Sequence, residues 1–68
     1  MDKKIYVEGL DEGKESAINT AVGAIPGVSA CTAASMKAQV LVSFDESVAG
    51  IEDAINAAIS SCGVSVLN

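Results

Sequence analysis

The apolar positions along this chain switch between a period of two and a period near 3.6. In KKIYVEG (Lys3–Gly9), Ile5 and Val7 fall on one face and Tyr6 on the other, the alternation of a half-buried strand. LDEG then breaks the pattern. Asp11 suits a helix N-cap, and Asp11, Glu12 and Glu15 suit the positive end of a helix dipole. From Glu12 to Ile25, the residues Ala17, Ile18, Ala21, Val22 and Ile25 recur as one helical stripe. PGV (Pro26–Val28) ends it, because Pro26 cannot continue the ladder and Gly27 can take a positive φ. VSACTAA (Val28–Ala34) predicts a second, weaker strand, diluted by alanine and cysteine, and SMKA (Ser35–Ala38) a hairpin turn. AQVLVSF (Ala38–Phe44) is the clearest strand, with Val40, Val42 and Phe44 on one face. After DESVAG, a second helical stripe of Ile51, Ile55, Ala58 and Ile59 ends at Cys62. Gly63 fits its C-cap, and VSVL (Val64–Leu67) alternates as a last strand.

The order is βαββαβ. Every strand has one apolar face and each helix one apolar stripe, so the economical packing sets two helices on one face of a four-stranded antiparallel sheet. Right-handed crossovers give the spatial order 4-1-3-2. The expected fold is an α+β, ferredoxin-like sandwich in one domain spanning residues 1–68. This topology brings three loops to one end: Leu10–Gly13, Ser35–Lys37 and the turn at Cys62–Gly63.

Composition narrows what such a domain can do. Eleven alanines and eight valines stand against one Phe, one Tyr and no Trp, so the core is built from small side chains. Each buries little apolar area at roughly 25 cal/mol per Å², which predicts moderate stability. Nine acids against four lysines give a net charge of −5, with no Arg and no His. That balance argues against nucleic acid and anionic membrane surfaces, where basic side chains dominate affinity. It suits a solvated surface, a cation or a basic partner. No apolar run approaches the ~20 residues of a membrane span, and MDKKIYVEG lacks the apolar centre of a signal peptide, so the expected location is the cytoplasm. There Cys31 and Cys62 are expected as free thiols. No Cys/His or Ser/His arrangement and no phosphate-binding glycine loop is present, so no enzyme activity is expected.

Four framework stretches together resemble a known family: VEG (Val7–Gly9), AVGAIPGVSAC (Ala21–Cys31), VLVSFDES (Val40–Ser47) and INAAISSCGVSV (Ile55–Val66). In length and order the chain is similar to the heavy-metal-associated domain of soluble copper chaperones and metal-transporting ATPases. The resemblance implies the ferredoxin-like fold and a loop after the first strand carrying Met-x-Cys-x-x-Cys, whose two thiolates hold Cu(I) or another soft ion. This chain has no cysteine in that loop. Counted forward from Gly9, the cysteine positions fall on Glu12 and Glu15. Counted back from the stripe of Ile18, Val22 and Ile25, they fall on Asp11 and Lys14, with the loop one residue shorter. The backward count follows the helix register. It leaves one carboxylate and one ammonium where the resemblance implies two thiolates.

Two function classes follow. In the first, the loop has lost tight Cu(I) binding and the scaffold serves protein–protein contact. The contact would run through the acidic loop end or through Tyr6 and Leu41, which fall on the outer sheet face. The resemblance implies a metal ATPase, or another protein with a basic docking face, as partner, with this chain a monomer or weak dimer. In the second, the protein still handles a metal ion with altered ligands drawn from Asp11, Glu12, Glu15 and Cys62, carboxylates favouring Mg²⁺, Mn²⁺ or Ca²⁺. Each residue also has a plain structural role: helix capping for the acids, and core packing for Cys62 and Cys31. A further alternative is a ligand-sensing module like the ACT domains, which share this topology and to which GLDEG (Gly9–Gly13) is loosely similar.

Overall fold

The computed structural model describes residues 1–67. Its elements are β1 (Asp2–Glu8), α1 (Glu12–Gly23), β2 (Val28–Ala34), a 3-10 turn (Ser35–Lys37), β3 (Gln39–Phe44), α2 (Ile51–Ser61) and β4 (Ser65–Val66). The sheet runs β2-β3-β1-β4 with every pair antiparallel, which is the expected 4-1-3-2 read from the other edge. Tyr6 pairs with Gln39, Ile5 with Val40 and Lys4 with Leu41.

The alternation in β1 and β3 sends Ile5, Val7, Val40, Val42 and Phe44 to one face. There they meet Ile18 and Val22 of α1 and Ile51, Ile55 and Ile59 of α2, all buried. The three isoleucines of α2 recur every fourth residue and present one ridge to the sheet. Among the described residues no helix covers the opposite face of the sheet, and Tyr6 and Leu41 lie exposed on it.

Element ends differ from the sequence pattern in several places. The first strand runs Asp2–Glu8 rather than Lys3–Gly9, and the third begins at Gln39 rather than Ala38. The stripe predicts α1 through Ile25, yet the helix stops at Gly23. Pro26 disfavours helical backbone at the residue before it. The chain winds down through shorter turns, with Ile25 N–H donating to Val22 O and Val28 N–H to Ile25 O, each at 3.1 Å. The last strand forms over Ser65–Val66 rather than Val64–Leu67. The hairpin turn is a 3-10 turn closed by Ala38 at φ 51°, whose N–H donates to Ser35 O.

Two contacts fix the end of the molecule where the loops gather. Val7 N–H donates to Ala38 O at 3.0 Å, tying the β2–β3 hairpin to β1. Gly9 lies beside the α2–β4 turn, where a side chain begun there would make ordinary contact with Gly63 O at 3.8 Å. At the other end, Gly27 takes φ +99° and packs under Val48 and Ile51. No helix among the described residues is long and apolar enough to cross a membrane.

Candidate functional site

Between β1 and α1 the chain must turn from an extended strand into a helix, and Asp11 makes the join. Its backbone is extended (φ −133°, ψ 174°), and its carboxylate Oδ1 accepts the Lys14 N–H at 3.0 Å. Asp11 is therefore the N-cap that the sequence suggests, with one carboxylate oxygen already engaged. Glu12 lies exposed in the first turn of α1. Glu15 turns away from the loop: its Oε2 accepts the Ser35 N–H at 2.7 Å, at the end of β2.

Lys14 joins two of the loops at this end. Its ammonium Nζ donates to Gly9 O at 3.2 Å and to Gly63 O at 3.3 Å, so one side chain from α1 bridges the first loop and the α2–β4 turn. Cys62 precedes that turn. It closes α2, with its N–H donating to Ile59 O at 3.1 Å, and sits half-buried against the core. The loops thus converge as the topology requires, and the side chain at their junction is a cation.

The four residues weighed as metal ligands go to different work. Asp11 caps α1, Glu15 caps β2, Glu12 stands in solvent and Cys62 packs inward. Among the described residues no group of three or more His, Cys, Asp or Glu side chains is placed to hold a metal ion. The side chains of the loop itself are carboxylates and an ammonium, with no thiol among them. A Cu(I) site asks for thiolates at the loop, and here the Lys14 ammonium offers only protons.

Elsewhere, Tyr6 and Leu41 are 46 % and 41 % exposed on the outer face of the sheet. They are diagonal neighbours, because Tyr6 pairs with Gln39 and Leu41 with Lys4. The sequence reading missed two residues here. Gln39 is buried although polar, and Leu67, 59 % exposed, runs beside β1 with its N–H donating to Tyr6 O at 2.8 Å. Cys31 is half-buried in β2, and burial pushes its thiol pKa up. An open depression of about 310 Å³ lies at the N-terminus of α2, lined in part by Glu46, Gly50, Glu52 and Asp53. It sits at the Lys3–Glu52 end of the molecule, away from the loop.

No family model matches the chain, and no curated protein does. Solved structures do. A CopZ metallochaperone is 29% identical, with 98% of this chain and 100% of that one covered and a TM-score of 0.89. The yeast copper transporter domain Ccc2a is 26% identical, covering 98% and 94% at a TM-score of 0.79. A CsoZ metallochaperone, 20% identical and covering 100% and 97% at 0.85, shares the fold. In fold and length the chain is thus similar to these solved domains, consistent with a heavy-metal-associated, copper-chaperone-like family.

Proposed function

We propose that this chain is a non-enzymatic, metallochaperone-like domain whose loop has given up tight Cu(I) binding and which acts through protein–protein contact. The observation that supports this reading is Lys14. Its ammonium lies across the carbonyl oxygens of Gly9 and Gly63, at the junction of the loops. A fixed positive charge there opposes a second cation: at 4 Å two unit charges repel by about 4 kcal/mol at an effective dielectric of 20. The same ammonium already joins the two loops to each other. The scaffold is left with its shape and its acidic surface.

The partner class follows from that surface. With a net charge of −5, the chain favours a protein with a basic docking face, such as a domain of a metal ATPase. One of the structural neighbours is itself a complex of two proteins, Atx1 and Ccc2a, with Cu(I).

The test is an anaerobic Cu(I) titration of the reduced protein against a competing chelator, followed residue by residue by NMR. The wild type is expected to lose the metal to the chelator. The double variant Asp11→Cys/Lys14→Cys, which puts two thiols at the positions reached by counting back from the helix, is expected to hold it. Tight one-to-one binding by the wild type, with shifts at Asp11–Glu15 and Cys62, would overturn the proposal and make this a metal protein with altered ligands.

A further inference from the structure

A sheet edge presents unpaired backbone groups to any passing strand, and proteins blunt edges with short strands, charges, prolines, bulges or covering elements. The two edges of this sheet are unequal. β4 is two residues long and offers little to pair with. β2 runs for seven residues, Val28–Ala34, with no charged side chain and no proline. Its one irregularity lies at the Val28/Ala30 end. At the other end two side chains of α1 reach the edge. Asn19 Oδ1 accepts the Ala33 N–H at 2.9 Å, and Glu15 Oε2 accepts the Ser35 N–H at 2.7 Å. The Ala33 N–H is thus spent on α1 and not on β3, so the backbone amide of Ala33 points off the sheet edge while its side chain stays in the core. Antiparallel alternation turns the N–H and C=O of Cys31 outward as well.

We propose that the β2 edge is a latent pairing surface for a second copy of this chain, held closed by Asn19 and Glu15. The edge is self-complementary. In an antiparallel pairing about Thr32, the Ala33 N–H of one copy meets the Cys31 C=O of the other, and each Cys31 N–H meets the opposite Ala33 C=O. Charge points to the same strand. Two chains of net charge −5 repel across most surfaces, but β2 carries no charge to set against itself. Asn19 and Glu15 hold the amides that the incoming strand would need.

Sedimentation of Asn19→Ala/Glu15→Ala over a range of concentrations tests this, with NMR amide spectra reporting the fold. The double variant is expected to reach twice the wild-type mass while the wild type remains a monomer. Ala33 and Ser35 amide exchange in the unpaired variant should rise roughly five- to tenfold on losing their acceptors. Glu15→Gln keeps an acceptor oxygen and should stay monomeric. Adding Thr32→Lys to the double variant sets two ammonium groups face to face and should restore the monomer. A folded double variant that stays monomeric overturns the proposal, and so does a dimer that survives Thr32→Lys. If the double variant does not fold, the same two results on Asn19→Ala alone decide the matter.

Discussion

Gly27 shows how much one residue can hold in place. Its φ of +99° is left-handed, and a Cβ there would come within 2.8 Å of Ile51 Cδ1 and 2.9 Å of Val48 Cγ2. Its carbonyl also receives the Asp45 N–H at 2.8 Å. Gly27→Ala therefore meets backbone strain and a clash with side chains over the core at once. Strain of this kind costs about 1–3 kcal/mol, as does overpacking. Urea denaturation of Gly27→Ala should show a loss of at least about 2 kcal/mol, with the midpoint lowered and the slope unchanged. Gly50 is also left-handed, but a Cβ there meets nothing within 4 Å, so Gly50→Ala should lose clearly less.

Among the elements, α1 and α2 depend on different things. α1 is held at its start by the Asp11 cap, whose loss on Asp11→Ala should cost about 1 kcal/mol. α2 has no side-chain cap, since Gly50 precedes it, and depends on its buried isoleucines. Ile55→Ala should accordingly cost about 2–5 kcal/mol. Thermal unfolding of both variants ranks them, with Ile55→Ala clearly the lower. These dependences explain what could be read from sequence. The isoleucine ridge of α2 and the alternation of β3 are periodic, so their partners follow from spacing alone. The Asp11 cap is local and equally legible. Glu15 and Lys14 were placed correctly on α1, but their partners were not foreseeable. Ser35 lies 20 residues beyond Glu15 and Gly63 lies 49 beyond Lys14, and both offer backbone atoms that carry no side-chain signature. The early stop of α1 at Gly23 had a visible cause in Pro26, whose reach extends to the residue before it.

At the scale of the whole molecule, pH acts on two distant groups in opposite directions. Asp45 is held below the usual carboxylate range by the Ser47 hydroxyl, which donates to it at 2.6 Å, and by the Ser47 N–H at 3.0 Å. A depressed carboxyl favours the folded state above its unfolded pKa and loses that contribution as pH falls through the folded value. Burial raises the Cys31 thiol. Its neutral form is favoured in the folded chain, so stability is full below the ordinary thiol pKa and declines as pH rises through the folded value. Denaturation midpoints measured across pH should therefore fall on both sides of neutrality. Cys31→Val should flatten the alkaline side alone, and Ser47→Ala should make the fall on the acid side shallower.

The sheet order has a consequence in time. β1 precedes the other described strands in the chain, yet it lies inside the sheet, between β3 and β4. As the chain leaves the ribosome, Ile5 and Val7 have only α1 to shelter them until Gln39–Phe44 has followed, and the second flank of β1 stays open until residues 65–66 emerge. Pairings between such remote segments must close a long loop before they gain anything, which slows folding. The earliest of the described strands is thus among the last to be fully flanked, and until β3 has left the ribosome Ile5 and Val7 are open to any chaperone that meets the chain.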